Sequence, residues 1–207
     1  MNKYDAIVIG AGHNGLTNAA YLAKAGLKVA VLERNNYIGG ATVSRELHTG
    51  WTYSNCSYVC SLLRPEIARD LELPRHGLQV VPYGGGVTFK RDGGYYGNYY
   101  DHNRQYREMA RHSKSDANAY ERYTADVMKQ TRLIRPFLLK RPPDPTSLKL
   151  RDLRDLTDFA QPFLAMGEEG LADTLKFWTK SVGDYLEEYF ESDVIKAHMA
   201  GSGIIGT

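Results

Sequence analysis

The first forty residues alternate between short apolar runs and a glycine-rich stretch, a pattern that predicts two strands joined by a helix. Residues 5–9 form the first predicted strand, and the glycine-rich stretch follows at 10–15. A helix is expected over residues 16–25, with Gly26 as its C-terminal stop. Residues 28–34 are a near-continuous apolar run, as expected of a parallel strand covered on both faces. The pattern therefore predicts a βαβ unit.

The glycines between the first strand and the helix have the spacing of a dinucleotide-binding loop. Gly10 permits the sharp turn, Gly12 lets the backbone approach a pyrophosphate, and Gly15 lets the helix pack close to the sheet. The free N–H groups at the start of the helix favour bound phosphates. The candidate loop residues are Gly10, Ala11, Gly12, His13, Asn14 and Gly15.

An acid and a second glycine segment extend this candidate site. Glu33 ends the second strand, 18 residues after Gly15, where an acid binds ribose hydroxyls and disfavours a ribose 2′-phosphate. Arg34 follows Glu33 directly. The Gly39-Gly40 pair offers bare backbone that can lie against the phosphates or the ribose. These residues predict a dinucleotide and leave FAD and NAD as open alternatives.

Residues 4–46, which read YDAIVIGAGHNGLTNAAYLAKAGLKVAVLERNNYIGGATVSRE, resemble the FAD-binding segment of phytoene-desaturase-related flavoproteins. That group includes carotenoid desaturases and isomerases and is more distantly similar to the amine oxidases. The resemblance implies FAD as the cofactor, held by the glycine loop and Glu33. It also implies that Gly39, Gly40, Ala41 and Thr42 line the path toward the flavin ring, with Ser57 and Tyr58 as further candidates near it. Many relatives have an arginine after the glycine pair, where this chain has Ala41; the nearest arginine is Arg45.

The expected fold class is α/β. A Rossmann-like FAD-binding domain at residues 1–80 is followed by a mostly helical α+β substrate or cap region at 81–207. In that second region we expect a hairpin within 87–100. Helices are expected near 103–112, 115–135, 150–160, 168–180 and 183–199, and residues 78–81 are strand-like. Family members are considerably longer, so we expect the chain to be an amino-terminal portion of a larger flavoenzyme.

The expected function is that of an FAD-dependent oxidoreductase, in which an apolar or amine substrate transfers hydride to flavin. One alternative is an NAD-dependent dehydrogenase. Another is a non-catalytic module that binds the cofactor or a partner. No residue of the sequence signals a catalytic acid or base.

Composition limits the partners that the chain can have. A net charge of +2 implies no nucleic-acid partner, and a mean hydropathy of −0.44 without an apolar run near 20 residues argues against a membrane span. A small-molecule substrate is therefore expected, and the resemblance to carotenoid desaturases implies that it is lipophilic. We also expect a cytoplasmic location, with the membrane periphery or an organelle lumen as alternatives. Self-association is an alternative for a chain that is only part of a larger flavoenzyme. Four basic residues flank the apolar residues Ile134, Phe137, Leu138 and Leu139, which indicates either peripheral membrane contact or a solvated helix end: Arg132, Arg135, Lys140 and Arg141.

Three further features have open interpretations. Cys56 and Cys60 are either a redox pair or buried, inert thiols, and we expect the latter. The Tyr- and Gly-rich tract 83–100 is either a pocket wall or a plain hairpin with aromatic cross-strand pairs. The histidines show no metal-ligand spacing, so no metal is expected.

Overall fold

The computed structural model of the protein describes residues 3–54, 56–57 and 59–203. The chain divides into two compact units, an amino-terminal unit Met1–Pro82 and a carboxy-terminal unit Tyr83–Thr207.

The amino-terminal unit is built on the predicted βαβ pattern. Strands β1 (Ala6–Ile9) and β2 (Val29–Leu32) pair in parallel, with Ala6 opposite Val29 and Ile9 opposite Leu32. Helix α1 (His13–Lys24) connects them and contacts both strands. It begins three residues earlier than expected, because Gly12 serves as its N-cap. The α/β fold class and its Rossmann-like unit are confirmed.

Shorter elements complete the amino-terminal unit. A 3₁₀ turn over Gly40–Thr42 precedes the antiparallel pair β3 (Ser44–His48) and β4 (Trp51–Ser54). Helix α2 (Pro65–Asp70) starts with a proline in its first turn, where the missing N–H costs no hydrogen bond. A 3₁₀ turn at Leu73–His76 follows.

The carboxy-terminal unit begins with the expected hairpin and continues as helices. Strands β5 (Gly85–Phe89) and β6 (Tyr95–Tyr99) are antiparallel, and Phe89 faces Tyr95 across the pair. The helices are α3 (His102–Ala110), α4 (Lys114–Ile134), α5 (Leu150–Leu164), α6 (Gly167–Thr179), α7 (Val182–Glu187) and α8 (Asp193–Ala200). Asp101 caps α3 by accepting the N–H of Arg104 at 2.7 Å.

The core of the carboxy-terminal unit lies where the hairpin meets the helices. Its buried apolar residues come from β6, α3, α4, the α7 region and α8: Tyr96, Met109, Ala117, Leu186, Phe190 and Ile195. Tyr120, Tyr123 and Tyr189 pack against this cluster. Leu186, Tyr189 and Phe190 thus face the core at helical spacing, as apolar stripes usually do.

Two elements differ from the expectations. Residues 78–81 are not a strand; Val80 and Val81 are 61% and 82% exposed and have no partner strand among the described residues. The single helix expected over 183–199 is two helices, α7 and α8. The break comes where the N–H groups of Glu191 and Ser192 turn to the carboxylate of Asp116, at 2.9 and 3.0 Å.

None of the helices in the described part of the chain is both long enough and apolar enough to cross a membrane. Within the same residues, no cluster of three or more His, Cys, Asp or Glu side chains could hold a metal ion.

Candidate functional site: a glycine-lined loop and a fixed carboxylate

The loop between β1 and α1 is shaped by two glycines that no larger residue could replace without strain. Gly10 has φ +95°, in the region that favours glycine, and its N–H donates to the carbonyl of Leu32 at 2.7 Å. A Cβ on Gly15 would lie 2.1 Å from the carbonyl oxygen of Gly10. The tight crossing of α1 over the end of β1 therefore depends on Gly15, as the sequence predicted.

The second glycine segment lies directly against the first. The N–H of Gly39 donates to the carbonyl of Ala11 at 2.8 Å, and Gly12 and Gly39 form an isolated parallel bridge. Gly40 has φ +59°, and a Cβ there would meet the Cα of Gly12 at 3.0 Å. The structure thus brings the two bare backbone segments together, although they are separated by α1 and β2 in the sequence.

Glu33 joins this loop from the end of β2. Its Oε2 accepts the N–H of Ala11 at 2.7 Å, and its Oε1 accepts the N–H and the Nδ2–H of Asn35 at 2.8 and 2.9 Å. These donors hold the pKa of the Glu33 carboxyl below its usual value, the Asn35 backbone N–H contributing most. Each carboxylate oxygen has more than one acceptor position, so the fixed group can still accept hydroxyl donors.

The start of α1 has the features that an anion requires. The N-cap residue of α1 is Gly12, which has no side chain. No capping side chain therefore accepts a hydrogen bond from the first N–H groups of the helix. Those first N–H groups have no intrahelical acceptor, and the helix dipole makes this end favourable for negative charge. Because N–H donors for a phosphate and a carboxylate acceptor for hydroxyl groups occur side by side, the residues present fit the pyrophosphate and ribose of a dinucleotide.

The remaining predicted site residues lie around this loop, and of these only the Arg34 backbone N–H contributes to lowering the Glu33 pKa. His13 and Asn14 are exposed in the first turn of α1, and Arg34 is exposed after β2. Ala41 and Thr42 are exposed in the 3₁₀ turn that follows Gly39. Thr42 closes that turn, because its Oγ1 donates to the Gly39 carbonyl at 2.7 Å.

Two residues that the sequence analysis did not single out shape the site. Asn35 fixes Glu33, and the available signal was an amide side chain two residues after the acid. Tyr37 receives the guanidinium of Arg45 over its ring at 4.3 Å. Arg45, the nearest arginine to the position that relatives fill, is thus engaged with an aromatic ring of its own unit.

The expectation that the two cysteines are buried is wrong. Cys56 and Cys60 are both free and exposed, and they lie in an irregular segment outside the described helices and strands. Ser57 is exposed as well, and Tyr58 lies outside the described residues.

The carboxy-terminal unit contains a small polar cavity of about 90 Å³ between α4, α6 and α7. Its wall includes Asp126, Gln130 and Tyr189, and the Tyr189 hydroxyl donates to Asp126 at 2.8 Å. The hairpin residues 83–100 do not line this cavity, so a pocket wall at that tract stays a prediction.

Comparison with known proteins finds relatives of the chain and a family model that matches part of its amino-terminal unit. Residues 8–69 match the model of the NAD(P)-binding Rossmann-like domain. Over 221 residues the chain is 36% identical to pyridine nucleotide-disulfide oxidoreductase domain-containing protein 2 of Mus musculus, a match that covers 99% of this chain and 38% of that protein. The chain is homologous to this mouse protein. It spans well under half the length of that relative.

Two further likenesses concern the loop and the fold. Phytoene desaturase of Fusarium fujikuroi is 58% identical over 38 residues, which cover 18% of this chain and 7% of that protein. A solved structure of a putrescine oxidase variant superposes with a TM-score of 0.51 at 17% identity, covering 95% of this chain and 36% of that one, which shows the fold alone. The resemblance to phytoene-desaturase-related proteins is confirmed, and the site is one for a flavin or nucleotide cofactor.

Proposed function

We propose that the amino-terminal unit binds the ADP half of FAD, and that the protein acts as an FAD-dependent oxidoreductase of the phytoene-dehydrogenase-related type. The observation that carries this proposal is the junction of three segments at one point. The N–H of Ala11 reaches Glu33, and the carbonyl of Ala11 receives the N–H of Gly39. A phosphate-binding loop, a ribose-binding carboxylate and a second bare backbone segment therefore adjoin.

Each of the three segments holds a different part of the cofactor. The pyrophosphate lies against Gly10, Gly12 and Gly15, whose neighbouring N–H groups at the start of α1 donate to it. The adenosine ribose donates its hydroxyls to Glu33. Gly39 and Gly40, together with the 3₁₀ turn through Ala41 and Thr42, line the side of the site that leads toward the ring.

The substrate is proposed from the relatives' names and from what a flavin supplies. Bound flavin accepts hydride from a substrate carbon, while the protein orients the substrate and excludes water. The relatives include a phytoene desaturase and, in fold, a putrescine oxidase, so we propose an apolar or amine substrate.

An NAD-dependent dehydrogenase is the second candidate, because the matching domain family is named for NAD(P). Both cofactors share an ADP half, and the contacts of Glu33 and the glycine loop are common to both. FAD and NAD differ only in the other half of the molecule, so a direct binding measurement distinguishes the two candidate cofactors.

The experiment titrates the purified chain with FAD and follows the flavin fluorescence. We expect saturable binding of FAD, competition by ADP and by ADP-ribose, and no binding of riboflavin, because the glycine loop and Glu33 recognise the ADP half. Binding of NAD⁺ with higher affinity than FAD would favour the dehydrogenase. If neither ligand binds, the proposed site is wrong.

A third candidate, a non-catalytic interaction module, is favoured by the exposed face of the β1–β2 sheet. Ile7, Ile9 and Leu32 are 61%, 87% and 56% exposed there. An apolar sheet face of this kind is a typical contact surface. A mass that rises with concentration, with no turnover of any substrate by FAD-loaded protein, would support this candidate over the oxidoreductase.

A further inference from the structure

The segment 132–154 of the carboxy-terminal unit concentrates positive charge beside exposed leucines. It contains seven basic and two acidic residues, a formal net charge of +5, whereas the whole chain carries +2. The remainder of the chain is therefore net acidic. The excess of positive charge is therefore confined to this segment and is not a feature of the overall composition.

The leucines of this segment are among the most exposed apolar residues of the unit. Leu148 and Leu150 are 89% and 84% exposed, and Leu138 and Leu139 are 54% and 52% exposed. Leu153 and Leu164 continue the row along α5 at 43% and 76%. Residues 150, 153 and 164 recur at helical spacing, so they form one stripe along α5.

Packing explains why these leucines face outward. The opposite face of α5 is fixed to the segment after α4, where Phe137 contacts Phe159 and Phe163 with ring centroids 4.9 and 6.0 Å apart. That aromatic contact uses one apolar face of α5. The second apolar face, with Leu150 and Leu153, remains exposed, although a helix in a globular unit usually has only one such face.

Two of the acids near these leucines are paired with a cation. Asp152, which is buried, and Asp155 both accept from Arg141, at 2.6 and 2.8 Å. Ser147 also donates to Asp152 at 2.6 Å. The unpaired acids close by in sequence are Asp144 and Asp158, and Asp144 is bonded within its own turn to Thr146.

Six basic side chains of the segment 132–154 make no ion pair with any described residue. They are Arg132, Arg135, Lys140, Lys149, Arg151 and Arg154. Long basic side chains can extend their charged ends toward lipid headgroups while their stems lie along apolar surface. Exposed leucines together with free basic residues form the composition of an interfacial membrane-binding surface.

We propose that the surface formed by residues 138–140 and 148–154 binds the face of an anionic lipid bilayer. The leucines enter the headgroup region, and Lys140, Lys149 and Arg151 contact the lipid phosphates and carboxylates. This goes beyond the proposed function and does not depend on it, since no residue of the surface belongs to the dinucleotide site. The basic residues favour an anionic lipid surface over a neutral apolar protein surface, because the protein surface would leave them without negatively charged partners.

The test is co-sedimentation of the purified chain with vesicles of phosphatidylcholine, with and without about 30% phosphatidylserine. We expect binding only to the anionic vesicles, and its loss at about 0.5 M salt, where surface charges are screened. Lys149→Gln with Arg151→Gln should weaken binding about tenfold or more. The matched control changes one lysine and one arginine elsewhere in the unit, Arg107→Gln with Lys114→Gln, and should leave binding unchanged.

A second pair of variants tests the leucines. Leu148→Ser with Leu150→Ser should weaken binding about tenfold, whereas Leu47→Ser with Leu62→Ser, at leucines that are 69% and 79% exposed, should not. All four residues are largely exposed, so folding should be preserved, and circular dichroism checks this. The proposal is overturned if anionic vesicles do not bind the chain, or if both basic pairs weaken binding equally. It is also overturned if Leu148→Ser with Leu150→Ser abolishes a concentration-dependent dimer instead.

Discussion

The backbone N–H of Ala11 donates to the carboxylate of Glu33 at 2.7 Å, which ties the loop after β1 to the end of β2. Parallel strands end at the same edge of a sheet, so the register of β1 and β2 brings these residues together. Asn35 holds the other carboxylate oxygen. The acid is therefore fixed in place and ionised before any ligand binds.

The first prediction concerns the charge of Glu33. Glu33→Gln keeps the shape of the side chain but removes the charged acceptor, so FAD affinity should fall by roughly ten- to a hundredfold, the value of a hydrogen bond to a charged group. Flavin fluorescence titration measures it. The pKa of Glu33 is lowered, so the decline of wild-type affinity with falling pH should begin at a lower pH than an ordinary glutamate would give.

Asp5 offers the matched control for this substitution. Its carboxylate accepts the N–H of Lys28 at 2.8 Å, so it too joins the two strand segments, but at the opposite end of the sheet from the glycine loop. Asp5→Asn should therefore alter stability as much as Glu33→Gln does and leave FAD affinity unchanged. Equal losses of affinity in both variants would show that Glu33 acts on the fold and not on the cofactor.

The second prediction separates the roles of two loop glycines. Gly15→Ala places a Cβ 2.1 Å from the Gly10 carbonyl oxygen, so α1 must shift, and the unit should lose roughly 1–3 kcal/mol of stability. Gly12→Ala meets only the Cα of Gly40, at 3.9 Å, and has φ −74°, which alanine adopts freely. Gly12→Ala should therefore fold normally and lose FAD affinity at least about tenfold, since its methyl group occupies the approach to the pyrophosphate.

Thermal unfolding by circular dichroism, followed by FAD titration, measures both effects. The two variants make the same chemical change three residues apart, so each is the control for the other. A Gly12→Ala variant that binds FAD as the wild type does would contradict the placement of the pyrophosphate at this loop.

The amino-terminal site was predictable because its determinants are local in sequence. The glycine loop, the strand on either side and the acid at the end of β2 follow from backbone requirements that only certain residues meet. What the sequence did not reveal was the contact of Gly39 with Ala11, for which β2 must first lie beside β1. Asn35 was missed for a similar reason, since its role depends on where the Glu33 side chain turns.

The errors of the sequence analysis share one physical origin. Residues 78–81 have strand-like side chains, but a strand needs a partner to satisfy its backbone, and none of the described residues provides one. The helix expected over 183–199 is broken by Asp116, which lies about 75 residues earlier in the chain. Cys56 and Cys60 were expected to be buried but are exposed. Whether a loop residue is buried depends on which other parts of the chain pack over it. In each case a distant part of the chain decides the outcome.

The third prediction concerns Asp116, whose fully buried carboxylate accepts the N–H groups of Glu191 and Ser192. Asp116→Asn turns one acceptor into a donor and leaves a buried N–H unpaired, which should cost about 1–3 kcal/mol of unfolding free energy. The exposed Asp173, 3.7 Å from Lys129, provides the control: Asp173→Asn should cost less than about 0.5 kcal/mol.

Tryptophan fluorescence can report on this unit alone. The chain has two tryptophans, and Trp51→Phe leaves Trp178, on α6, as the single reporter. Urea unfolding in that background should shift to lower urea for Asp116→Asn and stay in place for Asp173→Asn. Similar midpoints for the two variants would mean that the link between α4 and α8 is not a main source of stability.

The fourth prediction is a pH dependence that originates at His198. Its Nδ1 lies 2.7 Å from the Oγ1 of Thr88, and its ring packs on Tyr96 with centroids 4.8 Å apart. Partial burial lowers the pKa of His198 below its usual value, so the folded state favours the neutral ring. The unfolded chain then binds more protons below about pH 6.5, and stability should be full above that pH and decline as the pH falls.

Urea unfolding at about pH 7.5 and about pH 5.5, in the Trp51→Phe background, measures this loss, which should be at most about 1 kcal/mol for a partly solvated ring. His198→Gln keeps a partner for Thr88 and cannot titrate, so it should flatten the pH dependence. The exposed His76 is the control, and His76→Gln should leave the dependence unchanged. If His198→Gln retains the full decline, another group of the carboxy-terminal unit takes up the proton, and His198 contributes to packing alone.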